Sequence, residues 1–279
     1  MTIFPCAKLN LGLNVVSRRS DGYHDLETVF YPIPLHDALE ICEMDDDFPS
    51  ALDCDIKVTG IDIQSNDEDN LVTRAYRLLA ADYQLPRLHV HLHKGIPSQA
   101  GLGGGSSDAA NMITLLNAQY HLGMEMEKME QYAARLGADC AFFIRSHPAY
   151  AQGIGDLLEP LPDGVPSLKD YYLALVKPDI AVSTKEAYGN IHPRQPEWCC
   201  RDVVSQPIET WSGQLCNDFE KPIFSIYPEI GFIKQCLYDM GAVYAQMSGS
   251  GSSVFGIFEE DPAAVKDTFS HHFTAVMKL

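Results

Sequence analysis

Gly101-Leu-Gly-Gly-Gly-Ser-Ser107 puts four glycines into five positions ahead of two serines, and that chemistry suits a loop that holds phosphate. Without Cβ atoms, successive backbone N–H groups can turn toward one point. A helix starting there adds unsatisfied N–H groups and the positive end of its dipole. The flanks fit such a loop. Upstream, Leu88, Val90 and Leu92 alternate with His89, His91 and His93, the period of a half-buried strand. Downstream, Ala109, Met112, Ile113, Leu116 and Tyr120 recur at helical spacing. Neither common phosphate-binding pattern is met. No lysine follows the glycines, as a Walker loop requires, and Ser106 stands where the third glycine of a dinucleotide fingerprint belongs. The competing reading is a plain Gly-rich connection, but turns rarely need so many glycines.

Met247-Ser-Gly-Ser-Gly-Ser-Ser-Val-Phe255 is a second Gly/Ser run. Alone it reads as a hairpin turn. Beside the first loop it gains another reading, in which two loops from different halves of the chain face each other, one cradling phosphates and the other closing on them. His89, His91 and His93 share one strand face, about 7 Å between alternate positions. A solvated face is preferred there to a metal site, because no Cys, Asp or Glu completes a ligand set and Lys94 adjoins it.

Around these loops the chain reads as globular. Its 279 residues, 46% hydrophobic and 10% aromatic, can fill about two domains. Eight cysteines show no C-x-x-C pair, which predicts reduced thiols rather than zinc or a disulfide framework. No signal-like start and no membrane-length apolar run occurs, so a soluble cytoplasmic protein without a membrane partner is expected. A net charge of −18 opposes nucleic-acid binding. It leaves a nucleotide possible, since backbone N–H groups, local lysines and a metal ion can offset phosphates. Acidic runs at residues 43–47 and 67–69 read as surface loops.

To position the loops, strands are expected near residues 4–14, 38–43, 56–59, 88–94, 171–177, 243–246 and 254–258. Helices are expected near 71–83, 107–122, 126–136, 220–223 and 230–240. The Pro- and Gly-rich stretch at 159–167 is the best boundary, giving domains 1–160 and 161–279 with a cleft where they part.

Three segments together resemble the motifs of the GHMP small-molecule kinases: Lys8-Leu-Asn-Leu-Gly-Leu-Asn14, residues 97–110, and Ser248-Gly-Ser-Gly-Ser252. The form G-L-G-G-G-S-S-D-A-A and the element Arg19-Ser-Asp-Gly-Tyr-His24 are similar to one branch. That branch phosphorylates the 2-hydroxyl of 4-diphosphocytidyl-2-C-methyl-D-erythritol in the non-mevalonate isoprenoid pathway. The resemblance implies an α+β, two-domain fold: an N-terminal domain like the second domain of ribosomal protein S5, then a ferredoxin-like C-terminal domain. It implies ATP and Mg²⁺ as cofactors and a small-molecule cytidine diphosphate as substrate, in a monomer or homodimer.

Residue by residue, the resemblance makes Asp139 the general base and Lys8 its catalytic partner. A cation beside a carboxylate keeps it ionised and helps lower the pKa of a substrate hydroxyl, although a structural ion pair would look the same in sequence. Asn10, Tyr23, His24, Tyr188, Gly249 and Ser250 are implied at the substrate, with the aromatic rings stacking on the pyrimidine. For ATP, Asn70, Leu71 and Lys94 would line the adenine pocket. Pro97, Ser98, Gln99, Ala100, Gly101, Leu102, Gly103, Gly104, Gly105, Ser106 and Ser107 would wrap the phosphates. The Ser98-Gln99-Ala100 entry is less Gly-rich than in some members, which implies a stiffer approach to the loop. The magnesium ligands stay open, Ser107 being either a ligand or a helix cap. Two other functions remain: a kinase for another small alcohol, such as mevalonate or a sugar, and a nucleotide-binding sensor without catalysis. The Gly22-Tyr23-His24 element opposes the first, and retention of Lys8 and Asp139 opposes the second.

Overall fold

The computed structural model describes residues 1–45, 47–62, 70–189 and 191–279. The acidic run at 67–69, and residue 46 of the run at 43–47, lie outside the described residues. In chain order the strands are β1 (Thr2–Ile3), β2 (Cys6–Arg18), β3 (His24–His36), β4 (Ala38–Glu43), β5 (Cys54–Gly60), β6 (Leu88–Lys94), β7 (Ala149–Gln152), β8 (Leu157–Pro160), β9 (Tyr172–Lys177), β10 (Tyr244–Met247), β11 (Val254–Phe258) and β12 (Phe273–Lys278). The helices are α1 (Leu71–Ala80), α2 (Gly104–Gln119), α3 (Met126–Ala134), α4 (Phe142–Arg145), α5 (Thr184–Gly189), α6 (Cys200–Val204), α7 (Glu220–Ile226), α8 (Pro228–Asp239) and α9 (Ala264–Thr268).

One compact unit comprises residues 1–7, 35–98 and 103–146. Its sheet has the order β1-β4-β6-β5. Alternation decides which side of β6 is buried: Leu88, Val90 and Leu92 are at most 2% exposed, while His91 and His93 face solvent and hydrogen-bond Thr59. Strands β5 and β6 run parallel and are joined through α1, since a parallel pair needs a crossover. Asn70 starts α1 by accepting the Val72 N–H through Oδ1 at 2.9 Å. Helix α2 is apolar on most sides because α1, α3 and α4 all pack on it.

The expected helix at 107–122 starts three residues early, at Gly104. Gly103 takes the left-handed conformation, φ 70°, and its carbonyl already accepts the Ser107 N–H at 2.9 Å. Ser107 therefore lies inside the first turn, fully buried, and does not cap the helix.

The other unit comprises residues 8–34, 99–102 and 147–279. It holds the sheets β2-β3-β7-β8 and β10-β11-β9-β12. Strand β11 is buried along its whole length. The apolar side chains of α7 and α8, including Ile223, Ile230, Ile233 and Leu237, pack into a core with Ala245, Met247 and Val254. Trp211 meets Tyr244 edge-on at 5.4 Å, and Tyr244 in turn packs against Phe255. Along β2 the period of two separates Leu9, Leu11, Leu13 and Val15 from Lys8, Asn10 and Asn14, and both sets are buried. A buried polar row on a strand costs free energy unless partners satisfy it, and it marks where chemistry is placed.

Each unit is discontinuous in sequence, so the compact units do not separate at residues 160 and 161, where the Pro/Gly composition put a boundary. The reason lies in β2 and β3, early segments that share a sheet with β7 and β8. All eight cysteines are free thiols. Among the described residues no helix is long and apolar enough to cross a membrane.

Candidate active site

On the polar row of β2, the Lys8 ammonium donates to Asn10 Oδ1 at 2.6 Å and lies 4.7 Å above the Phe30 ring. Acceptor and π-face both stabilise a cation that is 4% exposed. Asn10 Nδ2 donates to Thr28 Oγ1 at 2.9 Å, and Thr28 in turn donates to the Gly12 carbonyl. The Asn10 N–H donates to Ser248 Oγ at 3.2 Å, and that hydroxyl donates to the Gly101 carbonyl at 2.8 Å. The two Gly/Ser runs thus meet. The second run is also the connection of the β10–β11 hairpin, the turn that its Gly/Ser composition suggests.

Contact here is main chain to main chain. A Cβ on Gly101 would lie 1.9 Å from the Ser248 carbonyl oxygen, and one on Gly249 would lie 3.2 Å from Asn10 Oδ1. Lys8 N–H closes the arrangement on the Leu102 carbonyl at 2.9 Å. Three side chains brace the hairpin connection. Asn217 donates to the Met247 and Gly249 carbonyls at 2.7 and 2.8 Å, Ser252 to Ile180, and Gln246 Oε1 accepts the Gly12 N–H at 2.9 Å. Ser250, at the tip, is half-buried.

The aromatic residues implied at the substrate end also lie in this unit. His24 and Tyr188 stack with centroids 4.9 Å apart at 18°, and Tyr188 stands edge-on to Phe219. Tyr23, 62% exposed, adjoins His24 in sequence, with its N–H held by Asp21. Stacked, partly exposed rings offer a π surface to a flat heterocycle.

In the unit containing α2, Asp139 is half-buried in the turn between α3 and α4. Its neighbour Cys140 has its thiol pushed up to about 11, by burial first, with the Ser106 hydrogen bond opposing and the Asp139 charge adding. No side chain caps α2, so its first N–H groups meet none of the usual capping oxygens. That is the condition a phosphate would satisfy. No group of three or more His, Cys, Asp or Glu able to hold a metal occurs among the described residues.

The side chain of Lys94, a residue implied at the adenine, is taken up by an ion-pair cluster. It is 3% exposed, and its ammonium is bound by Asp37 and by Asp108 Oδ2, the latter at 2.6 Å. Burial alone would lower its pKa, but the two carboxylates more than offset this and raise it. Asn70 likewise commits its side-chain oxygen to the α1 cap, with half-buried Leu71 next in sequence.

Asp108 has its carboxyl pushed up to about 8, by burial first, eased by Lys94 and reinforced by Asp37. Between an unfolded value of about 3.9 and this one, the folded chain holds a proton that the unfolded chain has released. The stability this group contributes is therefore full below the unfolded value and is lost as pH rises through the folded one. Asp108→Asn, which resembles the protonated carboxyl, is expected to flatten that loss. Tm measured for both proteins from about pH 5 to about pH 8 checks it; parallel curves would contradict it.

Sequence reasoning passed over Asp37, Thr28, Asn217 and Gln246. Gln246 carried a signal, a polar residue inside the apolar strand Tyr244–Met247. Asp37 and Asn217 gave none, because their partners are distant in sequence.

Residues 70–149 match the GHMP kinases N terminal domain, and residues 206–275 match GHMP kinases C terminal. The chain belongs to the GHMP kinase family, and its α+β, two-domain GHMP fold is the one the motifs implied. The 4-diphosphocytidyl-2-C-methyl-D-erythritol kinase of Bacteroides fragilis is 50% identical over 273 residues, which are 98% of this chain and 97% of that one. That of Bacteroides thetaiotaomicron is 51% identical over 264 residues, 94% and 93% of the two chains. A crystal structure of 4-(cytidine 5'-diphospho)-2C-methyl-D-erythritol kinase matches with a TM-score of 0.79 at 30% identity, over 99% of this chain and 98% of the other.

Proposed function

We propose that this protein transfers the γ-phosphoryl group of ATP to the 2-hydroxyl of 4-diphosphocytidyl-2-C-methyl-D-erythritol, giving the 2-phosphate and ADP, in isopentenyl diphosphate biosynthesis. The observation that carries this reading is the 50% identity, along almost the whole chain, to a relative named for that kinase activity. The buried Lys8–Asn10 row and the His24–Tyr188 stack support it, since they supply a cation and a π surface. The enzyme is proposed to act in the cytoplasm, as a monomer or homodimer.

Phosphoryl transfer asks the protein mainly for position and charge. The backbone N–H groups of residues 101–107, with the uncapped start of α2, are proposed to hold the phosphates. Asp139 takes the proton of the acceptor hydroxyl as its oxygen becomes nucleophilic. Lys8 stabilises the negative charge that grows there, and Asn10 fixes its ammonium. Tyr23, His24 and Tyr188 hold the cytosine ring, and Gly249 and Ser250 admit the substrate diphosphate. With the nucleotide bound, Mg²⁺ would supply positive charge that offsets the phosphates, and the protein need offer it no dedicated cage.

ADP release with Mg²⁺-ATP and the cytidylated substrate, beside mevalonate, homoserine and galactose, tests this. Turnover confined to the cytidylated alcohol is expected. Turnover with a rival alone would overturn the substrate, and ATP binding without turnover on any of the four would favour a sensor.

A further inference from the structure

The phosphate loop leaves β6 after Lys94 and enters α2 at Gly104. These two ends of the loop are tied together by a buried cluster that the proposed chemistry leaves unused. Asp37, in the single-residue step between β3 and β4, is 2% exposed. Its Oδ1 accepts the Gly95 and Ile96 N–H groups at 2.6 and 2.8 Å, and its Oδ2 accepts from the Lys94 ammonium. The same ammonium reaches Asp108 on the second turn of α2.

The fit is close on both sides. A Cβ on Gly95 would lie 2.6 Å from the His36 carbonyl oxygen. A Cβ on Gly104 would lie 2.9 Å from Ile96 Cγ2 and 3.5 Å from Lys94 Nζ. The first residue of α2 therefore sits directly on the end of β6. The carboxyl groups of Asp37 and Asp108 and one ammonium, all at most 3% exposed, span the strand, the link before β4 and the helix. Asp108 Oδ1 has no hydrogen-bond partner among the described residues. A cluster with an unsatisfied oxygen is not the cheapest way to fill a core, and apolar residues of like volume commonly serve stability as well or better. What such a cluster supplies is fixed geometry.

We propose that Asp37, Lys94 and Asp108 form a clasp that holds the mouth of the phosphate loop in its binding shape before nucleotide arrives. They are positioning residues, and none of them touches the reacting atoms. A loop ordered in advance loses less freedom on binding, so the clasp sets the affinity for nucleotide and leaves the chemical step alone. This rests on reading residues 97–107 as the phosphate loop.

Asp108→Ala removes the acceptor on α2, and Asp108→Asn restores an oxygen there. With Mg²⁺-ATP in calorimetry, Asp108→Ala is expected to bind about tenfold more weakly, and Asp108→Asn within about threefold of the parent. Amide hydrogen exchange should quicken at residues 97–107 in the alanine variant and return in the asparagine variant. KM for ATP should rise while kcat at saturation stays near the parent value. Asp37→Asn keeps Oδ1 for the two backbone N–H groups but loses the Lys94 pairing. It should show the same changes, and it serves if Asp108→Ala does not fold. Parent-like affinity in these variants, weaker binding without faster exchange at the loop, or an asparagine variant as weak as the alanine one would overturn the clasp. Absence of Mg²⁺-ATP binding by the parent protein would instead overturn the phosphate-loop reading.

Discussion

Asp139→Asn should lower ADP-forming turnover by about a thousandfold, a size typical for loss of a general base. The amide matches the carboxylate in shape and cannot take a proton. The substitution keeps the side chain's size and its hydrogen-bonding oxygen, and the phosphates are proposed to bind backbone N–H groups of residues 101–107, so ATP affinity should stay near the parent value. A fall in kcat and kcat/KM together, at unchanged ATP affinity, identifies a group that acts in the transition state. Turnover within about tenfold of the parent would remove Asp139 from the chemistry.

Gly101→Ala should be the most damaging loop substitution, for two additive reasons. Gly101 has φ +74°, a conformation that costs an L-residue about 1–2 kcal/mol. Its new Cβ would also lie 1.9 Å from the Ser248 carbonyl oxygen, and main chain cannot rotate away as a side-chain end can. The loop must therefore move, breaking the Ser248–Gly101 and Ser253–Ala100 hydrogen bonds. A destabilisation of about 4 kcal/mol is expected, with at least about a hundredfold loss of kcat/KM for ATP. Gly241→Ala isolates the first reason, because Gly241 has φ +98° with nothing within 4 Å of its Cβ position. It should cost about 1 kcal/mol. Urea unfolding of both variants makes the comparison, and equal losses would show that the contact with Ser248 is not limiting.

Much of this architecture was legible where one local rule dominated. The Leu/His alternation gave β6 with the observed ends, and the paired apolar runs gave β10 and β11 to within a residue. Strand β3 was missed. Its Pro32 and Pro34 argue against a strand, and its apolar residues do not alternate, since Leu26, Val29, Phe30 and Ile33 are all buried. Of the site, the glycines announced themselves through composition. The stacking of His24 on Tyr188 did not, because the two rings are far apart in sequence and only the loose match of Tyr188 to a family position paired them. The ion pairs of Lys94 were illegible for a related reason. A lysine at a strand end reads as a free arm, and the carboxylates that bind it come from elsewhere in the chain.

The compact units alternate along the chain in six segments: 1–7, 8–34, 35–98, 99–102, 103–146 and 147–279. Such an order resists inheritance in pieces. A recombination event, or a protease cut, near residue 160 would deliver 161–279 without β2, β3, β7 and β8, the whole sheet that carries Lys8 and Asn10. It would also leave behind the four-residue stretch 99–102 that meets the Gly/Ser hairpin connection. No single cut of the sequence therefore yields either compact unit whole.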